Sequence, residues 1–248
     1  MPVLPGAEPY AHDGSDIGVV LCHGFTGTPQ SLRPWARRLA AAGLSVRLPL
    51  LPGHGTSWQD LNRTGWDDWY SCVADALDEL NARCRAVVVG GLSMGGALAA
   101  RLAAERGAQV AGLVLVNPSV LRDHRRLQVL PLLKYLAPSA PGIGSDIAKP
   151  GSVELAYDRL PLKALHSLAR SWATTVRELP QITQPLLLLH SRVDHVVQPR
   201  SSALVLSRVS SKDVTEVVLE NSFHVATLDH DADLIETSSI DFVHRVTA

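Results

Sequence analysis

Short apolar runs alternate with amphipathic helical segments along most of this chain. The apolar runs have the length and aliphatic content of buried strands, and they cover Ile17 to Cys22, Leu44 to Leu48, Ala86 to Gly90, Val110 to Val116, Leu186 to His190 and Val214 to Leu219. The helical candidates are Pro29 to Ala42, Trp66 to Ala82, Gly95 to Arg106, Pro199 to Val209 and Asp231 to Val246. Such alternation predicts an α/β fold with a mostly parallel sheet and helices on both of its faces.

One long stretch interrupts this alternation. Between Val116 and Pro185 there is no convincing strand, and the stretch holds the apolar run Leu127 to Leu136, a loop rich in Pro, Gly and Ser, and further helix. An insertion of this length is typical of a lid over a binding site. We therefore expect a single domain, residues 1–248, with an inserted lid at residues 119–175. The lid leucines are expected either to line an apolar tunnel or to pack the lid onto the main domain.

Length and composition limit the classes of partner. The chain has 248 residues, 46% of them hydrophobic and 19% charged, which suits one large domain with a sizeable core. The net charge is -1 and no block of like charges occurs. We therefore expect no nucleic-acid partner and favour a small neutral substrate.

No segment of the sequence is suited to export or to membrane insertion. The first residues, Met1 to Gly6, lack a basic start and an apolar core, and no apolar stretch approaches the ~20 residues needed to cross a bilayer. The three cysteines, Cys22, Cys72 and Cys84, have no C-x-x-C spacing and are odd in number. This disfavours a zinc site and a disulfide framework, so we expect a soluble cytoplasmic protein with free thiols.

The segment Gly91-Leu92-Ser93-Met94-Gly95 joins a predicted strand to a predicted helix. On such a tight turn a serine adopts a strained backbone conformation that exposes its hydroxyl, and glycines two positions away leave room for the neighbouring chain. The pattern is typical of a nucleophile elbow, so Ser93 is the candidate nucleophile. A glycine-rich turn with an inert serine remains the alternative on this motif alone.

A serine hydroxyl is a poor nucleophile at neutral pH unless a histidine accepts its proton and a carboxylate orients that histidine. After a serine on a strand-to-helix turn, the acid and then the histidine follow along the chain. Asp194 lies in the loop after the run that ends at His190, and His224 lies in the loop after the run that ends at Leu219. Both loops follow carboxyl ends of strands, where open α/β sheets carry their sites.

Several of the ten histidines compete with His224 for the role of base. His190 lies inside or at the edge of a strand, and His195 precedes the last strand. Five others lie outside loops of the expected order, namely His12, His124, His166, His230 and His244. His224 is therefore the favoured base.

Two carboxylates compete with Asp194 for the role of acid. Asp213 precedes its strand rather than following it, and Asp229 follows the histidine instead of preceding it. Asp194 is therefore the favoured acid.

Two segments can supply N–H groups to the negative charge that develops on a carbonyl oxygen during acyl transfer. The N–H of Met94 directly follows Ser93 at a helix N-terminus, where the helix dipole also favours an anion. The loop His23-Gly24-Phe25-Thr26-Gly27 follows the first core strand, and the N–H of Phe25 is expected to point inward. An ordinary glycine-rich turn is the alternative for this loop.

Five motifs, spread over almost the whole chain, together resemble the bacterial monoacylglycerol lipases of the α/β-hydrolase superfamily. They are His23-Gly24-Phe25-Thr26-Gly27-Thr28-Pro29, Gly53-His54-Gly55-Thr56, Gly91-Leu92-Ser93-Met94-Gly95-Gly96, Asp194-His195-Val196-Val197 and His224-Val225-Ala226-Thr227-Leu228-Asp229. The lid segments Ile143-Gly144-Ser145-Asp146 and Glu154-Leu155-Ala156-Tyr157 are similar as well. Thermostable carboxylesterases share the catalytic motifs, so these motifs do not separate the two groups.

The resemblance implies an α/β-hydrolase fold with a small helical and loop lid inserted after the sixth core strand. It also implies a catalytic triad and an oxyanion hole made of residues already favoured, namely Ser93, Asp194 and His224, with the N–H groups of Phe25 and Met94. It implies further that Glu154 accepts hydrogen bonds from glycerol hydroxyls, although a helix glutamate is more often exposed to solvent. The chemistry of such a triad requires no metal ion and no organic cofactor.

Three functions fit these residues. The favoured one is hydrolysis of monoacylglycerols, lipid ester substrates, to glycerol and free fatty acid through an acyl-enzyme on Ser93. The alternatives are a broad-specificity carboxylesterase for short to medium acyl esters and, least favoured, a non-catalytic receptor. The run Leu127 to Leu136 differs from the lids of the family and leaves the acyl-chain preference open. A hydrophobic lid rim would also permit transient contact with micelles or membranes.

Overall fold

The computed structural model describes residues 1–121, 129–142 and 144–248. Its strands are β1 (Tyr10–His12), β2 (Ile17–Cys22), β3 (Ser45–Leu48), β4 (Ala86–Leu92), β5 (Gly112–Val116), β6 (Ser139–Pro141), β7 (Arg159–Pro161), β8 (Leu186–Ser191) and β9 (Val214–Leu219). Seven of them form one sheet in the order β1-β3-β2-β4-β5-β8-β9. Only β1 in this sheet is antiparallel to its neighbour, so the predicted mostly parallel sheet is confirmed.

The six predicted strands are all present, and β2 and β9 have the predicted bounds. Aliphatic runs identify the central strands, which lie between helical layers and are almost wholly buried. The edge strand β9 is exposed over its first three residues. The three-residue edge strand β1 was not predicted. It pairs Tyr10 with Leu48 and His12 with Val46 at the margin of the sheet, where no apolar run is required.

The helices are α1 (Arg33–Ala41), α2 (Trp58–Leu61), α3 (Trp66–Asn81), α4 (Met94–Arg106), α5 (Leu130–Leu136), α6 (Leu162–Glu178), α7 (Arg200–Arg208) and α8 (Ala232–Thr247). The predicted helix Pro29 to Ala42 is divided into a 3-10 turn at Pro29–Leu32 and α1. Pro34 has no N–H to donate to the preceding turn, which accounts for the division. Within the described ranges, no helix is both long and apolar enough to cross a lipid bilayer.

Helices cover both faces of the sheet. On one face, Val19 and Leu21 of β2 pack with Trp35 of α1 and Phe242 of α8. The alternate residues of β2 face the opposite side and pack in a second core with α3, α4 and α6. Burial of each large aliphatic side chain stabilises the fold by roughly 1.5–3 kcal/mol, so a strand buried on both faces holds the sheet centre rigid. The loops at the carboxyl end of the sheet are therefore attached to rigid strands.

The segment between β5 and β8 differs from the sequence expectation in two respects. It contains a small antiparallel sheet of β6 and β7, where no strand was predicted. Each strand has only three residues and ends in proline, so its sequence carries no strand pattern. Arg159 Nε donates to Ser139 Oγ across the pair at 2.7 Å. The segment also follows β5, the fifth strand of the chain, whereas the expectation placed it after the sixth core strand. Leu127 and Ile143 lie outside the described residues.

Candidate active site

Ser93 occupies a sharp turn between β4 and α4. Its φ of 57° and ψ of -116° place it in a region that residues with a side chain rarely adopt. A Cβ on Gly95 would overlap the carbonyl of Cys22, and a Cβ on Gly91 would overlap the backbone of Gly95. The two flanking glycines are therefore required by the close approach of α4 to the sheet, as the motif predicted.

The backbone of Ser93 is fixed by hydrogen bonds to the neighbouring strand and loop. Its N–H donates to the carbonyl of Val116 at 3.0 Å, and its carbonyl accepts from the N–H of Ser119 at 3.0 Å. These bonds tie the turn to the end of β5, so the strained conformation is held from outside the turn. Ser93 lines a cavity at this edge of the sheet.

His224 and Asp194 form a buried pair beside the same cavity. His224 Nδ1 lies 2.7 Å from Asp194 Oδ2, and the side chains are 8% and 2% exposed. The other oxygen of Asp194 accepts the N–H groups of Val196 and Val197 at 2.8 and 2.7 Å. A carboxylate held in this way keeps the imidazole proton on Nδ1, which leaves Nε2 able to accept a proton.

The competing residues named from the sequence have other partners. Asp213 pairs with Arg245 at the surface. Both oxygens of Asp229 accept backbone N–H groups, so this carboxylate stabilises the surrounding backbone. His195 pairs through Nδ1 with Asp146 at 2.8 Å. His124 lies outside the described residues. None of the described competitors takes the place of Asp194 or His224 in the pair.

The N–H groups of Phe25 and Met94 belong to two loops that line the cavity with Ser93. Neither N–H donates a hydrogen bond to another described residue. Met94 is the first residue of α4, where the helix leaves its initial N–H groups without intrahelical partners. Thr26 has a φ of 65°, and its carbonyl accepts the N–H of Tyr157 at 3.1 Å, which fixes the Phe25 loop.

A buried aromatic cluster lies under the Phe25 loop. The ring of His54 contacts those of His23, Phe25 and Trp69 at centroid distances of 4.9, 6.3 and 5.6 Å. His23 Nδ1 bonds to the carbonyl of Gly24 at 3.0 Å, and its Nε2 accepts the N–H of Leu51 at 3.2 Å, which specifies the neutral Nδ1–H tautomer. The sequence motifs contain both His23 and His54 but do not indicate these contacts. Their structural role was not predicted.

Burial makes both of these histidines resist protonation. It lowers the pKa of His23 from 6.5 to about 4, and it lowers the pKa of His54 well below 6.5, with the neighbouring His23 acting in the same direction. His54 Nε2 is also buried without a hydrogen-bond partner among the described residues. The folded protein therefore keeps both rings neutral under conditions in which the unfolded chain binds protons.

We expect acid to weaken the fold through this pair. Because the folded pKa values are depressed, the stabilisation is complete above pH 6.5 and is lost as the pH falls from 6.5 towards 4. The shift of His23 alone corresponds to about 3 kcal/mol. The test is urea unfolding of wild type and of His54→Phe between pH 8 and pH 4. The free energy of unfolding should fall less between pH 8 and pH 4 in His54→Phe than in wild type. In His12→Gln, a change at the surface, it should fall as much as in wild type. Identical slopes for His54→Phe and wild type would contradict this account.

Glu154 borders the cavity but does not lie in a helix as its sequence context suggested. It lies in a segment without regular secondary structure. Gln30 holds this segment on both sides of Glu154: its Oε1 accepts the N–H of Leu155 at 2.9 Å, and its Nε2 donates to the carbonyl of Val153 at 3.1 Å. A Cβ on Gly27 would meet Glu154 Oε1 at 2.6 Å, so the carboxyl packs on the Phe25 loop. Burial raises the pKa of the Glu154 carboxyl to about 7, while the nearby His224 acts in the opposite direction.

The cavity has a volume of about 210 Å³ and combines one reactive wall with an apolar interior. Ser93, His224 and Glu154 line it together with the two candidate oxyanion residues and an apolar group made of Leu160, Leu165, Leu168 and Trp172. These apolar residues come from the segment between β5 and β8. The arrangement suits a molecule with a polar end and a hydrocarbon chain, placed with a carbonyl group near Ser93.

The chain is similar to known hydrolases. A family model, Hydrolase_4, described as serine aminopeptidase, S33, matches residues 15–231. The chain is 42% identical over 246 residues to a thermostable monoacylglycerol lipase from Bacillus sp. (strain H-257), with 97% of this chain and 96% of that protein covered. It is 25% identical to a carboxylesterase from Bacillus subtilis (strain 168), with 96% and 97% covered. The predicted resemblance to monoacylglycerol lipases and carboxylesterases is confirmed.

The fold is shared with a solved lipolytic enzyme. A structure from work on LipS and LipT, two metagenome-derived lipolytic enzymes, superposes with a TM-score of 0.96 at 39% identity and covers 98% of this chain and 100% of that one. The predicted α/β-hydrolase fold is thereby confirmed. Since the family model spans most of the chain and a relative 42% identical spans 97% of it, the protein belongs to the Hydrolase_4 (serine aminopeptidase, S33) family of α/β hydrolases.

Proposed function

We propose that this protein is a carboxylic ester hydrolase that cleaves monoacylglycerols to glycerol and free fatty acid through an acyl-enzyme on Ser93. The main support is the 2.7 Å contact between His224 Nδ1 and Asp194 Oδ2, beside a cavity that Ser93 and His224 both line. The substrate class is supported by the thermostable monoacylglycerol lipase that is 42% identical to this chain.

In the proposed acylation, His224 Nε2 accepts the proton of the Ser93 hydroxyl while the serine oxygen attacks the ester carbonyl. Asp194 stabilises the imidazolium that forms and keeps the ring oriented. The negative charge on the former carbonyl oxygen receives hydrogen bonds from the N–H groups of Phe25 and Met94, each of which stabilises the transition state by roughly 3–4 kcal/mol. The ester C–O bond then breaks, and glycerol leaves with the proton from His224.

Deacylation repeats these steps with water as the nucleophile. His224 Nε2 accepts a proton from the water molecule while the water oxygen attacks the acyl carbon. The N–H groups of Phe25 and Met94 bind the second oxyanion as they bound the first. The bond between the acyl carbon and Ser93 Oγ then breaks, and Ser93 Oγ takes the proton back from His224. Fatty acid and free enzyme result, so every proton is returned and no cofactor is needed.

Glu154 is proposed to bind the glycerol end of the substrate. Its carboxyl borders the cavity close to the Phe25 loop, and its pKa of about 7 keeps a fraction of it ionised at neutral pH. An ionised carboxylate accepts hydrogen bonds from hydroxyl groups more strongly than a neutral group does. A broad carboxylesterase is the alternative function, supported by the Bacillus subtilis carboxylesterase at 25% identity.

Variants of Glu154 separate the two functions. The quantity to measure is the ratio of kcat/KM for 1-monolauroylglycerol to kcat/KM for methyl laurate. A hydrogen bond to a charged group contributes about 1.5–3 kcal/mol, so Glu154→Gln should lower this ratio about tenfold or more. In wild type the ratio should rise as the pH increases through about 7, where the carboxyl ionises. In Glu154→Gln it should not change with pH.

The ratio also provides its own controls. Both substrates use the same Ser93 chemistry, so a change in triad efficiency cancels. Glu216→Gln, at an exposed position on β9, should leave the ratio within twofold of wild type. If Glu154→Gln keeps the wild-type ratio at every pH, the enzyme does not recognise glycerol through Glu154 and the carboxylesterase function is favoured.

We further propose that the segment at residues 119–175 acts as a lid and contacts lipid surfaces transiently. Helix α5 exposes large apolar side chains, with Leu132 71% and Leu136 81% exposed, next to the basic Lys134. Apolar and basic groups on one short helix favour contact with an anionic lipid surface. The segment also supplies the apolar cavity lining, so lipid bound there would lie close to the candidate site.

Sedimentation with phosphatidylglycerol and phosphatidylcholine vesicles tests this contact. The double variant Leu132→Ser and Leu136→Ser should lower the vesicle-bound fraction severalfold, because it removes the two most exposed leucine side chains of α5. Its turnover of soluble p-nitrophenyl butyrate should stay within twofold of wild type. Leu234→Ser, an exposed change on α8, is the control. Equal vesicle binding by wild type and the double variant would exclude α5 as the contact.

A cytoplasmic location is proposed for the same protein. All three cysteines are free thiols in the structure, and Cys22 and Cys84 are buried. Free thiols are typical of proteins that stay in a reducing compartment. Equal amounts of the protein in cytoplasmic and exported fractions of its native host would argue against this proposal.

A further inference from the structure

Two side chains outside the proposed triad hold the peptide groups on either side of His224. The N–H of His224 donates to Asp146 Oδ2 at 3.1 Å, and its carbonyl accepts from Asn117 Nδ2 at 2.8 Å. Asn117 directly follows β5 of the central sheet, whereas Asp146 comes from the inserted segment. The backbone of the candidate base is therefore fixed from the sheet on one side and from the insertion on the other.

Asp146 makes further contacts with the two loops that carry the Asp194–His224 pair. Its Oδ2 also accepts the N–H of His195 at 3.1 Å, and its Oδ1 lies 2.8 Å from His195 Nδ1. The carbonyl of Asp146 accepts the N–H of Val225 at 3.0 Å. One mostly buried residue thus joins the loop after β8 to the loop after β9, and hydrogen bonds to an ionised acceptor are about twice as strong as neutral ones.

The segment that carries Asp146 also carries Glu154. The N–H of Glu154 donates to Ser145 Oγ at 3.0 Å, one residue before Asp146. Asp146 and Glu154 both line the cavity with His224. The insertion therefore approaches the site at two points, one at the candidate base and one at the proposed glycerol contact.

We propose that Asp146 is a positioning residue that sets the orientation of His224 through its backbone N–H. This inference rests on the proposed function, because it assigns His224 the role of base. Proton transfer depends steeply on geometry, and a misplacement of about 1 Å can lower the rate about 100-fold. Without an acceptor at position 146, the N–H groups of His195 and His224 lose their partner, and the two loops lose their shared contact. The histidine ring then samples orientations away from Ser93.

Comparison of Asp146→Leu with Asp146→Asn tests the proposal. Leucine has the same number of side-chain heavy atoms in the same branched shape but accepts no hydrogen bond, whereas the oxygen of asparagine can accept both backbone N–H groups. Active sites are first titrated to completion with a fluorophosphonate probe, and kcat is expressed per titrated site. Asp146→Leu should lower kcat for p-nitrophenyl butyrate 10- to 100-fold with KM within twofold of wild type. Asp146→Asn should stay within threefold of wild type.

Two further variants define the contact. His195→Ala removes the ring that faces Asp146 Oδ1 but keeps both backbone N–H groups, so its kcat should stay within threefold of wild type. Asp158→Asn, an exposed change in the same insertion, should match wild type. A purely structural role would reduce the number of titrated sites and leave kcat per site unchanged. If Asp146→Leu does not fold, Asp146→Ala replaces it in the same comparison.

Three results would overturn the proposal. They are a wild-type kcat per titrated site in Asp146→Leu, an equal loss of kcat in Asp146→Asn and Asp146→Leu, and a loss in His195→Ala as large as that in Asp146→Leu. Ser93→Ala separates this failure from failure of the proposed function. An active Ser93→Ala would remove the proposed function itself, whereas an inactive Ser93→Ala with a normal Asp146→Leu would reject only the role of Asp146.

Discussion

Ser93→Ala is expected to lower kcat for 1-monolauroylglycerol on the order of 10⁴- to 10⁶-fold. The variant lacks the oxygen that forms the acyl-enzyme, so only the oxyanion N–H groups and substrate binding remain to accelerate attack by water. KM should change little, because the serine hydroxyl makes up a small part of the cavity wall. The measurement is the release of lauric acid at saturating substrate, followed over hours for the variant and over seconds for wild type.

The matched control for this prediction is Ser207→Ala. Ser207 lies on the exposed side of α7, where its hydroxyl donates to the carbonyl of Leu204 at 2.9 Å. This variant should retain at least half of the wild-type kcat. Thermal unfolding of Ser93→Ala should give a Tm close to that of wild type, because alanine keeps the Cβ and the backbone of the turn stays bonded to Val116 and Ser119. A kcat for Ser93→Ala within tenfold of wild type would show that Ser93 is not the nucleophile.

Asp194→Asn is expected to lower kcat about 10⁴-fold, for a reason that the hydrogen bonds around position 194 specify. The N–H groups of Val196 and Val197 require an acceptor, so the asparagine oxygen should face them. The amide NH₂ then faces His224 Nδ1, which must accept a hydrogen bond and therefore carries no proton. The proton moves to Nε2, and that nitrogen can no longer accept the proton of Ser93.

Steady-state kinetics with 1-monolauroylglycerol measure this loss, and Asp213→Asn is the control. Asp213 is the competing carboxylate that precedes β9 and pairs with Arg245 at the surface, so its variant should stay within twofold of wild type. A structure of Asp194→Asn should show an unchanged backbone, since the side-chain volumes are nearly equal. If Asp194→Asn loses less than tenfold in kcat while Asp213→Asn loses more, the acid of the triad has been assigned wrongly.

The strands and helices that surround the site could be predicted because their signals are local. The aliphatic run at Ile17–Cys22 marks a strand buried on both faces, and the glycines around Ser93 mark a close approach of backbones. The order of Ser93, Asp194 and His224 along the chain then placed three loops at the same edge of a parallel sheet. Each of these inferences depends on neighbours in sequence or on a general rule of topology.

The residues that the sequence did not identify act through contacts between distant segments. Asn117 reaches the carbonyl of His224 across 107 residues, and Asp146 reaches its N–H across 78. No local pattern distinguishes such an asparagine or aspartate from the many on the surface. The strands β6 and β7 were missed for a related reason, since two three-residue strands gain their pairing only when the insertion folds back on itself.

The central claim, an acyl-enzyme formed on the pathway of monoacylglycerol hydrolysis, is tested most directly by partitioning between water and methanol. Wild-type enzyme is given 1-monolauroylglycerol or p-nitrophenyl laurate in the same methanol–water mixture, and the ratio of methyl laurate to lauric acid is measured for each substrate. A common acyl-enzyme has lost its leaving group before water or methanol attacks, so the two ratios are predicted to be equal. Ratios that differ between the two substrates would contradict the account, because they would show that the leaving group is still present when the acyl carbon is attacked.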